Sequence, residues 1–129
     1  MSPLKKNKLS KIRSELDKLD NILIKIIKKR TSLVKKVLAL KENKNQIVDQ
    51  KRIKIILKNI RKKSLKNNID PKITNRIWKN MIWSYIDFER RNFKKKSLEN
   101  NIDPKITNRI WKNMIWSYID YEKRNFKKK

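Results

Sequence analysis

LSKIRSELDKLDNILIKIIKKRTSLVKKVLALK, residues 9–41, decides the fold. Leu9, Ile12, Leu16, Leu19, Leu23, Ile26, Arg30, Leu33, Val37 and Leu40 step three and four residues apart without a slip. Such spacing places all ten on one stripe of a long helix, the stripe that meets partner helices. Arg30 stands in that stripe where a leucine belongs. Removing an unpaired guanidinium from water costs several kcal/mol, so the position implies an anion. The anion is either a bound ligand or a carboxylate from another helix that fixes register. Spacing alone leaves both readings open.

Working outward, Ser2-Pro3 reads as a cap and first-turn proline, and no breaker follows until Glu42-Asn43-Lys44-Asn45. A helix of about 37 residues would be roughly 55 Å long, too long for a small lone globule. A second helix is predicted from Ile47 to about Leu65, with Ile53, Ile56, Leu57 and Ile60 on one side and Asp49 and Arg52 on its first turns. Asn67-Asn68-Ile69-Asp70-Pro71 then supplies a turn, an N-cap and a first-turn proline. A third helix follows from Pro71 to about Lys95, its stripe formed by Trp78, Met81, Ile82, Tyr85 and Glu89.

Residues 64–96 return almost unchanged as residues 97–129, differing only at Lys66 against Glu99, Phe88 against Tyr121 and Arg90 against Lys123. A solenoid needs three or more units, so two copies suggest a duplicated C-terminal helix. The second copy carries its own stripe, Trp111, Met114, Ile115 and Tyr118, which needs cover; the tryptophans read as core packing.

Composition narrows the chemistry. Hydrophobic residues make up 37% of the 129-residue chain and charged residues 39%, so a shared core in a dimer fits better than a lone globule. The absence of Cys, His and Gly removes thiol and imidazole catalysis, the usual metal ligands and glycine-rich phosphate loops. Chemistry must run on Arg, Lys, Asp, Glu and hydroxyls. The net charge of +26 invites a nucleic-acid reading, but Lys, Ile and Asn, the residues of AT-rich codons, are 64 of 129 residues. No aromatic is interleaved with the N-terminal lysines for base stacking. No apolar run approaches about 20 residues, and a soluble cytoplasmic protein is expected.

Arg30 and Lys41 lie eleven residues apart, about three turns, within roughly 20° on one face. Arg13 is about 25 Å from Arg30 along the axis and roughly 100° round, so it can join them only from a partner chain. Arg52 and Glu89 reach the same region if the second and third helices fold back along the first. The sum is a helix-lined pocket, rich in cations with one carboxyl, suited to a small dianion.

In order from Leu9 to about Phe93, these segments, with IVDQKR after a short loop and IDPKITNRIWKNMIWSYIDFE after it, resemble the all-helical (type II) chorismate mutases. The most specific parts are LDxLD and the Arg30-x10-Lys41 spacing. The resemblance implies an all-α fold: a long N-terminal helix and two shorter ones in an intertwined homodimer, here with one extra C-terminal helix. It divides the chain into a mutase-like domain, 1–96, and a second copy of helix three with its preceding turn, 97–129. It implies conversion of chorismate to prephenate on the route to phenylalanine and tyrosine, with no cofactor, no metal and no covalent intermediate.

Carried across position by position, the resemblance gives Arg30 one substrate carboxylate and Arg13 of the partner subunit the other. Lys41 reaches the ether oxygen of the breaking bond, and Glu89 is the second donor there. Asp49 and Arg52 match the family's D-x-x-R near the substrate hydroxyl. Ile53 stands where the family commonly has Glu, and Tyr85 replaces a small residue at the pocket wall. Tyr118 and Glu122 copy Tyr85 and Glu89 and are the alternates from the second repeat. The first copy is expected to fill the site, because the link from helix two to Pro71 has the family's length. A pericyclic step needs only the reactive conformer held and the charge on the ether oxygen stabilised, which suits a chain without His or Cys. The competing readings are a non-catalytic basic helical protein binding nucleic acid and a coiled-coil scaffold.

Overall fold

The structure, a computed structural model, describes residues 1–93 and 102–126. Those residues form four helices and no strand: α1 (Pro3–Leu40), α2 (Gln50–Lys66), α3 (Pro71–Asn92) and α4 (Pro104–Asn125), with a short 3-10 turn at Lys44–Gln46. The all-helical expectation holds in these residues.

Local chemistry sets the boundaries. The Ser2 side chain accepts from the Lys5 amide at 3.2 Å, and Pro3 occupies the first turn. At Lys41 the backbone becomes extended and α1 ends. The Asn43 side chain then accepts from the Asn45 amide at 3.1 Å, and Gln46 Oε1 accepts from the Asn43 amide at 3.2 Å, closing the 3-10 turn as a capping box. The second helix starts three residues later than its apolar pattern suggests, because Asp49 is its N-cap, accepting from the Arg52 amide at 3.0 Å. Ile47 instead lies before the helix, buried under α3. Asn68, at φ 58°, makes the left-handed step between α2 and α3, a conformation Asn tolerates better than most residues. Asp70 and Asp103 cap α3 and α4 through the amides of Lys72 and Lys105, both at 2.9 Å. The third helix ends at Asn92; the expected extension to Lys95 lies outside the described residues.

The molecule is organised around α3. One side of it gives Met81, Tyr85 and Phe88 to a core completed by Ile27 of α1 and Ile106 and Ile110 of α4. Its other side gives Ile86, with Ile82 and Trp83 at the edge, to a cluster with Ile47 and Ile53. The Ser64 and Thr74 hydroxyls, 2.6 Å apart, tie α2 to α3 inside the fold. The second repeat is therefore not a loose appendage: Ile106 is 0% exposed and Ile110 2%. The stripe expected to need cover is only partly the one that packs. Trp111 and Met114 are half-buried, whereas Ile115 and Tyr118 face solvent.

The first helix carries two stripes. Leu23, Ile27, Thr31, Val34 and Leu38 face α3 and α4 and are buried or half-buried. The heptad seam is displaced by one residue from this stripe and stays largely uncovered: Ile12, Leu16, Leu19, Ile26, Leu33, Val37 and Leu40 are 47% to 82% exposed. Arg30 is exposed with them, so its expected desolvation is not met within one chain.

Candidate active site

Two helix ends and one loop meet where α1 stops. Lys41 Nζ lies 2.9 Å from Glu89 Oε2 and 3.4 Å from the Ile47 carbonyl oxygen. Side-chain exposure is 17% for Lys41 and 7% for Glu89, so both charges are withdrawn from bulk water and depend on each other. The extended backbone after Leu40 turns Lys41 toward α3, and the Asp49 cap starts α2 beside Ile47.

Tyr85 stands one turn before Glu89 on α3. Its hydroxyl is 2.8 Å from Thr31 Oγ1 and donates to the Ile27 carbonyl at 3.4 Å. Burial pushes the phenol above its usual 10.0, against smaller opposing effects of the Thr31 hydrogen bond and the Arg30 charge. Tyr85 is therefore a neutral, anchored residue of the core near Arg30. Thr31, 2% exposed, was not singled out by the sequence reading, since it falls one residue off the seam.

Of the sequence-derived site residues, Lys41 and Glu89 are brought into contact; Tyr85 is one turn before Glu89, with the Arg30 charge near its hydroxyl, and Arg30 itself is exposed, about three turns before Lys41 on α1. Asp49 and Arg52 are at the start of α2, exposed, with the Asp49 carboxylate committed to its capping bond. Ile53 is a core residue packed with Ile47 and Ile86, an apolar contact rather than a polar pocket wall. Arg13 is exposed in the N-terminal half of α1, well away from Lys41 along the helix. Tyr118 and Glu122, the second-repeat alternates, are exposed on α4, and neither has a partner equivalent to Lys41 among the described residues. No group of three or more potential metal ligands is present among the described residues.

The family model for type II chorismate mutase matches residues 12–90, a span that contains the first repeat's Glu89 and excludes α4. The chain belongs to the type II chorismate mutase family. A chorismate mutase from Methanocaldococcus jannaschii is 39% identical over 79 residues, covering 58% of this chain and 77% of that protein. No solved structure matches the chain at a significant level. Chorismate mutase function, and with it membership of the isomerases, follows from the family.

Proposed function

We propose that the mutase activity of this chain resides in the first repeat, at Lys41 and Glu89, and that a second copy of the chain completes the site. The observation that carries this reading is the buried Lys41–Glu89 contact. An ammonium has three N–H donors. Glu89 takes one and the Ile47 carbonyl sits within reach of a second, which leaves a third for the ether oxygen of chorismate as its C–O bond lengthens. Glu89, accepting from Lys41, is a positioning residue for that donor. Arg30 takes one substrate carboxylate. The Tyr85 ring closes the wall, and its hydroxyl remains bound to Thr31.

The uncovered seam supports the homodimer. Seven exposed apolar residues on one stripe are the pattern of a helix whose partner is another chain. Pairing of two such stripes would bury Arg30 beside the substrate, and the partner subunit's Arg13 would meet the second carboxylate. Asp49 and Arg52 then bound the pocket at the start of α2. The rearrangement exchanges no proton and no electron with the protein, so holding the reactive conformer and placing the Lys41 charge account for catalysis. The product feeds phenylalanine and tyrosine formation, a cytoplasmic role consistent with the fact that no helix among the described residues is long and apolar enough to cross a membrane.

The experiment is subunit complementation. R13A and R30A chains, each inactive on chorismate alone, regain activity when mixed under exchange, because some heterodimers contain one intact site. Proven exchange without rescue contradicts the shared site.

A further inference from the structure

The side-chain hydrogen bonds and ion pairs between α3 and α4 come in reciprocal pairs. Arg76 donates to Asn113 Oδ1 at 3.3 Å and to Asp120 Oδ2 at 2.8 Å. Arg109, the same position one repeat later, donates to Asn80 Oδ1 at 3.2 Å and to Asp87 Oδ2 at 3.0 Å. Arg91 meets Asp103 at 2.8 Å, and its copy Arg124 meets Asp70 at 2.9 Å. Each of these polar contacts is thus made twice, with the repeats exchanged, whereas the apolar packing is one-sided: Tyr85 and Phe88 are buried against α4, and their copies Tyr118 and Tyr121 are exposed. The N-terminal part of each helix faces the C-terminal part of the other, so the two repeats pack antiparallel about a pseudo-two-fold axis. None of the three positions that differ between repeats takes part in these six bonds.

An interface made by equivalent residues on both sides is isologous, and an isologous surface is complementary to itself. We infer that the face of α3 carrying Arg76, Asn80, Asp87 and Arg91 is a self-recognition surface for a second copy of this chain, which α4 occupies within the chain. In an α3–α3 pair, Arg76 of one copy meets Asp87 and Asn80 of the other, and Arg91 meets Asp70. The intramolecular pair prevails because a short tether holds α4 at an effective concentration of roughly millimolar. The surface is distinct from the exposed seam of α1 and from the Lys41–Glu89 site.

Charge exchange in the full chain separates the two pairings. In R76D/D87R, the intramolecular pair sets aspartate against Asp120 and arginine against Arg109, while α3–α3 and α4–α4 pairs between chains keep every opposite-charge contact. At about 100 μM, below the tethered effective concentration, light scattering should show at least a twofold higher mass than the wild-type assembly. R76D alone, which sets aspartate against Asp120 within the chain and against Asp87 in an α3–α3 pair, favours neither pairing over the other and should show no rise. The fourfold variant R76D/D87R/R109D/D120R restores the intramolecular pair and should return to the wild-type mass. The inference is overturned if R76D/D87R keeps the wild-type mass, or if the fourfold variant is equally enlarged. Circular dichroism on the same samples adds one outcome. Helix lost in R76D/D87R and regained in the fourfold variant would show that α3 accepts only α4, which also overturns it.

Discussion

Lys41 and Glu89 are 48 positions apart in sequence, yet Nζ and Oε2 are 2.9 Å apart in the fold, with both side chains largely shielded from water. Two charges in this setting are costly to separate and cheap to remove together. Replacing Glu89 by Ala should lower stability by about 3–5 kcal/mol, the cost of stranding a buried charge. The double variant K41M/E89M should recover stability to near wild type while remaining inactive on chorismate. Thermal melts beside a chorismate assay check this. Full activity in the double variant would remove Lys41 from the mechanism.

Arg30 interrupts an otherwise apolar seam, so R30L should give a continuous stripe. Thermal stability of the assembled protein should stay equal or rise, because a guanidinium no longer has to be desolvated, while turnover is lost. A large drop in melting temperature would identify Arg30 as half of a structural ion pair.

Asp70 and Asp103 cap α3 and α4 and also meet Arg124 and Arg91 across the repeat interface. The Lys72 amide and Arg124 hold the Asp70 carboxyl below its usual 3.8. For Asp103, burial pushes upward, but the Lys105 amide and Arg91 outweigh it, and the net direction is also downward. A carboxylate with a depressed folded pKa contributes stability above its unfolded value and loses it as pH falls through the folded one. Melting temperature should therefore fall below about pH 4. D70N/D103N keeps two good capping side chains and loses the charges. Its melting temperature should change less between pH 7 and pH 3 than that of the wild type. Equal slopes would show that these carboxylates do not link folding to acid.

Much of this was legible in sequence, and the reasons differ by residue. Pro71 and Pro104 after aspartates mark helix starts, because a missing N–H costs nothing in the first turn. The three-four spacing marks α1 as one helix. That pattern shows which residues share a face but not which neighbour covers it. The seam, Leu23 excepted, is the largely uncovered stripe, and the stripe that packs within the chain, Ile27, Thr31 and Leu38, lies one residue to its side. Thr31 could not stand out, since its hydroxyl gains meaning only from Tyr85, 54 positions away. The R-x10-K spacing and Glu89 singled out both members of the buried pair, yet nothing local showed that Glu89 would accept from Lys41. Ile53, read as a departure from a polar position, is filled by core packing. The berth of α4 was also hidden, because Ile106 and Ile110, its most buried side chains, sit outside the stripe that the periodicity emphasised.

That berth makes α4 part of the core. I106A removes a fully buried side chain against Ile27 and should cost about 2–5 kcal/mol, since the site can relax only partly. Truncation after Lys96 should keep Lys41 and Glu89 together and retain activity, at reduced stability, because it uncovers Met81, Tyr85 and Phe88. Denaturant titration measures both. An unchanged midpoint for I106A would mean that α4 does not dock as described.

The placement of the site in the first repeat is tested most directly by chorismate turnover in two full-length single variants, E89A and E122A. Glu89 is buried against Lys41, whereas its copy Glu122 is exposed on α4. The account predicts at least a hundredfold loss of kcat/KM for E89A, of the order expected when a transition-state charge loses its positioning, and wild-type turnover for E122A. Loss in E122A with activity kept in E89A would show that the second repeat holds the site and would contradict it.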